Sequence, residues 1–140
     1  MLFIKFIGKV TNNFPKKTYF CLINLYIMKI TIVSGARPNF MKIAPITRAI
    51  KAAQEAGKKI SYRLIYTGRQ DDTSLDASLF SDLDMKKPDG YLGVSGHDQS
   101  EVTAAIMLAF EKELNTHPAQ VVLVVDDLTA TMSCSIVAKK

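Results

Sequence analysis

Apolar positions along the chain fall into two kinds of pattern. Short runs of aliphatic, β-branched and aromatic residues lie at 29–34, 60–66 and 121–125, and each is followed by a glycine or polar turn. Runs of this length and composition predict strands. The last run, VVLVV, is apolar throughout, as expected of a strand that is buried on both faces. Between the runs, apolar residues recur every three or four positions, which predicts amphipathic helices.

The three-to-four spacing predicts four helices. Asn39 follows Pro38 at the start of the first, where an Asn side chain commonly caps a helix, and Asp98 has the same place before the third. Residues 84–97 contain Pro88 and three glycines and predict a long loop. The predicted helices run from Asn39 to Gly57, within 73–83, over 99–114 and from Thr129 to the end of the chain.

Strands that alternate with helices are typical of a parallel sheet with helices on both faces and right-handed crossovers. We therefore predict an α/β fold, a doubly wound parallel sheet in which 29–34 lies between 60–66 and 121–125. The other edge of 121–125 is predicted to be open. Ligands of such sheets bind outside the carboxyl ends of the strands, where the strand order reverses. A binding site is therefore expected between the ends of 29–34 and 121–125.

Composition narrows the class of protein. The chain has 140 residues, enough for one domain, with 48% hydrophobic and 22% charged residues, as in globular proteins. Four lysines and no acidic residues within 1–27 account for most of the net charge of +5, so no nucleic-acid-binding face is predicted. Cys21 and Cys134 form neither a disulfide framework nor a CxxC motif. Two unrelated thiols are typical of a reducing compartment, and we predict a cytoplasmic protein.

Residues 1–27 are difficult to place in this domain. The apolar stretch 19–27 is followed by no small-residue cleavage site, as a signal peptide requires. Extending it toward the length of a membrane span includes Asn24 and Lys29, so no stable membrane insertion is predicted. Three interpretations stay open: a non-native extension ahead of a natural start at Met28, which we favour, a weakly membrane-associating segment, or an ordered extra strand.

Three charged residues are predicted to meet at the carboxyl edge of the sheet. Arg37 follows the first strand, Lys42 lies in the first turns of the next helix, and Asp127 follows the third strand. An arginine fork and a helix start both suit phosphate or carboxylate. Neither GxGxxG nor GxxxxGK[ST] occurs, which disfavours dinucleotide dehydrogenases and P-loop kinases. The alternatives are a structural tie for Arg37, a solvated surface lysine for Lys42 and a helix cap for Asp127.

No metal site is predicted from the spacing of potential ligands. Asp71 and Asp72 form no recognisable metal motif, and His97 and His117 each stand without a partner at useful spacing. We therefore expect neither a metal nor another cofactor.

Several segments together resemble a known family. They are MKITIVSGARPNFMKIAPI, YTGRQDD, LFSDLDMKKPDGYLGVSG, EVTAAIMLAFE and VVLVVDDLTATMSCSIVAKK, in chain order. Over residues 28–140 they resemble the beginning of the non-hydrolysing UDP-N-acetylglucosamine 2-epimerases. The Gly-x-Arg-Pro stretch with its lysine, the PDxYLGV loop and the strand-to-Asp-to-Thr segment are specific in combination.

The resemblance implies a two-domain fold of glycosyltransferase-B type with the active site between the domains. It implies a cofactor-free isomerase of polysaccharide biosynthesis that interconverts UDP-N-acetylglucosamine and UDP-N-acetylmannosamine by elimination and re-addition of UDP. Arg37 and Lys42 match the family's basic pair, and Asp127 matches its first catalytic carboxylate. A homodimer is also implied. Residues 28–140 would then be an incomplete N-terminal Rossmann-like domain without the second domain that binds most of the UDP-sugar. We expect this chain alone to be inactive and poorly soluble.

Two positions depart from the family's pattern. Asp126 stands where the family usually has glycine, and Arg69-Gln70 stand where it usually has Gln-His. We expect repulsion between Asp126 and Asp127 to raise the pKa of one of the two carboxyls, and the side chain at 126 to crowd the sugar. Two alternative functions stay open: a fragment of a glycosyltransferase of the same architecture, and a non-catalytic half-domain bound to a partner.

Overall fold

The computed structural model describes residues 4–5 and 27–139. None of the helices in this described part is long and apolar enough to cross a membrane. The strands are β1 (Ile4–Lys5), β2 (Met28–Ser34), β3 (Ile60–Tyr66), β4 (Gly90–Tyr91) and β5 (Val121–Val124). The helices are α1 (Arg37–Glu55), α2 (Ala77–Asp82), α3 (Gln99–Thr116) and α4 (Thr129–Lys139).

The sheet has the strand order β1-β5-β2-β3-β4. β2 pairs in parallel with both of its neighbours, so that Ile32 lies opposite Leu64 of β3 on one side and Leu123 of β5 on the other. The prediction of a doubly wound α/β sheet with this strand at its centre is confirmed. The strand order reverses between β2 and β5, and this is the place where the sequence predicts a binding site.

The prediction of an open edge on β5 is wrong. β1 runs antiparallel along that edge, with Ile4 opposite Leu123 and Lys5 opposite Val122. The backbone N–H and C=O groups of an edge strand favour pairing with another extended segment, and β1 supplies one. This pairing fits the interpretation of an ordered extra strand for Ile4 and Lys5 alone. Residues 6–26, on which the other interpretations of the N-terminal segment depend, lie outside the described residues.

The predicted long loop at 84–97 contains a short strand. β4 pairs in parallel with the end of β3, and Tyr91 lies opposite Tyr66. Asp89 fixes this pairing, because its N–H donates to the carbonyl of Leu64 at 2.7 Å and its carboxylate accepts the Leu64 N–H at 2.7 Å. The Asp89 side chain thus holds β4 beside the end of β3, and β4 extends the sheet by one short strand.

Two apolar layers cover the two faces of the sheet. On one face, Phe40 and Ile43 of α1 and Phe80 of α2 pack against the inward side chains of β2, β3 and β5. On the other, Phe110 of α3 and Cys134 of α4 pack against the alternate side chains of β2 and β5. Helices therefore lie on both faces, as predicted, and a cleft opens at the carboxyl ends of the strands.

Side-chain caps set where the middle helices begin. Asp98 accepts the N–H of Ser100 at 2.7 Å, which confirms the predicted cap of α3. Asp76 accepts the N–H of Leu79 at 2.9 Å, so α2 begins at the residue after Asp76 and is shorter than the predicted 73–83. Pro45 lies within α1, which continues past it to Glu55.

Candidate active site at the strand ends

Asn39 holds the turn that joins β2 to α1. Its Oδ1 accepts hydrogen bonds from the backbone N–H groups of Gly35 at 2.8 Å and Ala36 at 2.9 Å. The predicted capping position is wrong, because α1 begins at Arg37 and Asn39 lies inside the first turn, from which it reaches back. Asn39 is 1% exposed, so this turn is fixed from within the protein. The turn sets the point at which the first helix, with Arg37 and Lys42, leaves the sheet.

Asp126 connects the end of β5 to α1. Its backbone φ is +65°, in the left-handed region, which glycine adopts freely and which Asp and Asn tolerate better than other residues. One carboxylate oxygen accepts a hydrogen bond from Asn39 Nδ2 at 2.5 Å, and the other forms an ion pair with the Lys42 ammonium. The backbone conformation gives a physical reason for the glycine that the family resemblance leads one to expect here.

The expected repulsion between neighbouring carboxylates does not govern Asp126. The hydrogen bond from Lys42 lowers the pKa of the Asp126 carboxyl below its usual value, with a further contribution from Asn39 and an opposing one from desolvation. The predicted rise in pKa of one of the two carboxyls is therefore not found at Asp126. A lysine at this position compensates the additional negative charge, and the carboxylate is directed toward α1.

Arg37 lies at the same end of the sheet, and among the described residues Asp76 is its ion-pair partner. Its Nη2 is 3.8 Å from Oδ2 of Asp76, and both side chains are about half exposed, at 49% and 50%. A contact of this length between exposed groups contributes little to stability. About half of the Arg37 side chain is therefore accessible at the strand ends. The sequence did not reveal Asp76 as a partner of Arg37. The only feature of the sequence that distinguishes Asp76 is its position as a helix cap.

Asp127 is exposed and has no side-chain hydrogen bond or ion pair within residues 27–139. The alternative of a helix cap would require its carboxylate to accept an N–H from the first turn of α4, and no such bond is present in the described residues. Lys42, by contrast, is paired with Asp126, although its side chain is 55% exposed. The structure thus brings Lys42 to the end of β5 and leaves the carboxylate of Asp127 accessible there.

A cleft of about 580 Å³ opens at this edge of the sheet. Its wall includes the turn after β2, the segment after β3 and the first residues of α3 and α4. Arg37, Lys42 and Asp127 do not line it. Ala36 and Leu128, the sequence neighbours of Arg37 and Asp127, do line it. Sequence reasoning missed the remaining polar wall, which is made by Thr67, Arg69, Asp71, Asp72, Thr73, Ser95, Gln99 and Thr129.

The loop after β4 forms one side of the cleft. Backbone N–H groups of Leu92, Gly93 and Val94 donate to the carbonyls of Tyr66, Gly68 and Thr67 respectively, at 2.8–3.0 Å. These bonds hold the PDxYLGV segment against the Thr-Gly turn at the end of β3. Two motifs that are separate in sequence therefore form a single wall of the cleft.

Arg69, which belongs to the second departure from the family's pattern, lines the cleft. Its guanidinium donates two hydrogen bonds to the carboxylate of Asp71, at 2.8 and 2.6 Å. The pair is exposed, with 58% of the Arg69 side chain and 68% of the Asp71 side chain accessible. Paired in this way, the charge of Arg69 is compensated locally.

A hydrogen bond between Tyr66 and Asp72 in the wall of the cleft makes the stability of the protein depend on pH. The Tyr66 hydroxyl donates to Asp72 at 2.6 Å, and burial, followed by this bond, raises the pKa of Tyr66 to about 12. An unfolded tyrosine titrates near about 10. The stability that this difference contributes is therefore complete below pH 10 and is lost as the pH rises from 10 to 12.

We expect urea unfolding of the wild type to show a steeper loss of stability between pH 10 and 12 than unfolding of Tyr66→Phe. The comparison with Phe isolates Tyr66, because every other titrating group is common to both proteins. Equal slopes for the two proteins would contradict the assigned hydrogen bond.

Gly35 lies where β2 and α4 approach most closely. A Cβ placed there would lie 2.6 Å from the Cβ of Ala130 and 3.4 Å from Cδ1 of Leu128. We expect Gly35→Ala to lower the free energy of unfolding by about 1–3 kcal/mol in urea denaturation, because a strand end and a helix must separate. Gly96→Ala is the control: its Cβ would meet only a Val102 methyl at 3.0 Å, which can move, so its cost should be smaller. Equal costs would contradict this packing.

Comparison with known proteins identifies the family. The family model described as UDP-N-acetylglucosamine 2-epimerase matches residues 51–140, which is more than half of the chain. The chain belongs to this family. The epimerase match includes Asp126 and Asp127, and the fold is the Rossmann-like part of the glycosyltransferase-B type fold.

Relatives in the epimerase family extend the comparison. The UDP-N-acetylglucosamine 2-epimerase of Methanocaldococcus jannaschii is 27% identical over 113 residues, and the UDP-2,3-diacetamido-2,3-dideoxy-D-glucuronate 2-epimerase of Pseudomonas aeruginosa is 28% identical over 113. Each comparison covers 81% of this chain, and the chain spans about 30% of the length of these curated relatives. The crystal structure of the M. jannaschii enzyme in complex with UDP-GlcNAc and UDP superposes with a TM-score of 0.68 at 27% identity, covering 79% of this chain and 29% of that one.

Proposed function

We propose that Arg37, Lys42 and Asp127 form the first-domain part of the active site of an epimerase. This epimerase interconverts UDP-N-acetylglucosamine and UDP-N-acetylmannosamine. The observation that carries the proposal is the combination of two cations and one accessible carboxylate at the strand ends of an epimerase-family sheet. Arg37 and Lys42 follow β2, and Asp127 follows β5, on either side of the point where the strand order reverses.

In the proposed first step, UDP leaves C1 of the sugar while a proton leaves C2, which gives a 2-acetamidoglucal. Negative charge develops on the bridging oxygen of the leaving diphosphate, so the step is favoured by cations that are already in place. Arg37 has an accessible fork that matches two phosphate oxygens, and Lys42 lies about one and a half turns further along α1. We assign these two side chains to the diphosphate.

The C2 proton requires a group that takes it from one face and a route for returning it to the other. Asp127 is exposed and has no side-chain partner in the described residues, so its carboxylate is free to act on a proton of a bound sugar. Re-addition of UDP to the glycal then completes the inversion. The atoms balance without oxidation or reduction, so the proposed reaction needs no redox cofactor.

The sugar itself is the finer part of the proposal. Both relatives described above carry names of 2-epimerases that act on UDP-sugars, one on N-acetylglucosamine and one on a diacetamido-glucuronate. Their shared chemistry is inversion at C2 of a UDP-linked sugar, and we favour N-acetylglucosamine because the matching family model is described as UDP-N-acetylglucosamine 2-epimerase. A second domain that binds most of the UDP-sugar, a homodimer and a cytoplasmic location are further parts of the proposal.

A chimera tests this function directly. Residues 28–139 of this chain would replace the corresponding part of the M. jannaschii enzyme, and interconversion of the two UDP-sugars would be followed by NMR. We expect turnover with incorporation of solvent deuterium at C2, and loss of both in the Asp127→Asn chimera. A folded chimera that transfers the sugar to an acceptor would instead support the glycosyltransferase alternative, and one that binds no UDP-sugar would support the non-catalytic half-domain.

A further inference from the structure

The ion pair between Lys42 and Asp126 places a carboxylate against the ammonium group that the proposed function assigns to the diphosphate. We propose that the Asp126 carboxylate is an internal anion that occupies Lys42, so that a diphosphate binds at these strand ends only by displacing it. This inference rests on the proposed function, and it makes Asp126 the residue that sets the site's affinity for its anionic ligand.

The carboxylate is held in this place by more than one contact. Asn39 donates to the oxygen that Lys42 does not use, at 2.5 Å, and Asn39 is itself fixed by the N–H groups of Gly35 and Ala36. Asp126 is 15% exposed, whereas Lys42 is 55% exposed. Displacement therefore means that Lys42 turns outward to the ligand, while Asp126 stays beside α1 and loses its charged partner.

The chemistry of the pair explains the expected loss of affinity. A carboxylate presents two oxygens to an ammonium and an amide N–H, as a phosphate group would. An incoming diphosphate must replace one charge-assisted hydrogen bond of Lys42 and also approach the negative charge of Asp126. Glycine at the same position has neither effect, and it fits the backbone φ of +65°.

The test measures the binding of inorganic pyrophosphate to the 140-residue chain by NMR titration, at the low protein concentration that the expected poor solubility of the chain requires. The variants are Asp126→Gly and Asp126→Asn, both of which tolerate a left-handed backbone, and each variant's amide spectrum checks its fold. The matched control is Asp84→Asn. Asp84 is exposed, also has a positive φ, of +50°, and does not line the strand-end cleft, so the substitution changes the same charge in the same conformation elsewhere.

We expect both Asp126 variants to bind pyrophosphate about tenfold more tightly than the wild type, which is the scale of one charge-assisted hydrogen bond. The control should bind as the wild type does, and adding Lys42→Met to Asp126→Gly should remove the gain. An equal gain in Asp84→Asn, a gain that survives Lys42→Met, or no binding by any variant would each overturn the inference. Because pyrophosphate binding needs neither sugar nor turnover, an inactive chimera together with the tenfold gain would remove the proposed function and leave this inference standing.

Discussion

Arg37→Ala should lower kcat of the chimera by about 10²–10³, the loss that follows removal of one aimed donor from a transition state. The Arg37 side chain is half exposed and its Nη2 is 3.8 Å from the carboxylate of Asp76, so this contact contributes little to the free energy of unfolding. The effect should therefore appear in the elimination step rather than in stability. Quenched-flow or NMR measurement of the appearance of free UDP separates this step from re-addition.

The matched control is Arg48→Ala on the same helix. Arg48 is an exposed arginine three turns further along α1 that donates to the carbonyl of Leu83 at 3.1 Å, away from the strand ends. Turnover of this control should stay near that of the parent chimera. Near-normal turnover of the Arg37 variant, together with a lower unfolding midpoint, would assign Arg37 the structural tie that was left open above.

Phe40→Ala should lower the free energy of unfolding by about 3–5 kcal/mol, as is usual when a buried Phe is truncated. Phe40 of α1 is 0% exposed, and its ring packs against α2 and β3. Its ring meets Phe80 edge-on, with centroids 5.3 Å apart, and lies 5.9 Å from the ring of Tyr66. Removing it leaves a cavity that three separate elements would have to close together, so little relaxation is expected.

Met41→Ala is the control for this measurement, because Met41 is the next residue along α1 and is 66% exposed. Urea unfolding followed by circular dichroism should show a change of no more than about 0.5 kcal/mol for Met41→Ala. Equal losses for the two variants would mean that the face of α1 that packs on the sheet has been assigned incorrectly.

Most of the sheet is predictable from sequence because its central strands are defined by local pattern. The run 29–34 and the run 60–66 appear in the structure within one residue of the predicted bounds, and the buried run at 121–125 forms β5. β4 was missed because only two residues pair, and what holds them is the side chain of Asp89, a contact that periodicity does not encode. The pairing of β1 with β5 was likewise invisible, since two residues carry no pattern.

Some features of the candidate site are likewise predictable from the sequence, and others are not. The positions of Arg37, Lys42 and Asp127 follow from the rule that strand ends meet at one edge, and sequence alone supplied them. The partner of Lys42 did not follow, because Asp126 reaches it across 84 residues and only through a left-handed backbone. Nor did the role of Asn39, whose side chain links both strand ends.

The place where the strand order reverses is also the seam that joins the most distant parts of the central sheet. Partners across β2 and β3 are 32 residues apart, as with Met28 and Ile60, whereas Ile30 and Val121 across β2 and β5 are 91 apart. Closing the longer loop costs about 1 kcal/mol more in chain entropy. The β2–α1–β3 unit is therefore expected to assemble before β5 docks onto it. In this order of folding, Lys42 has no Asp126 partner until β5 pairs with β2. Formation of the Lys42–Asp126 ion pair therefore marks the docking of β5.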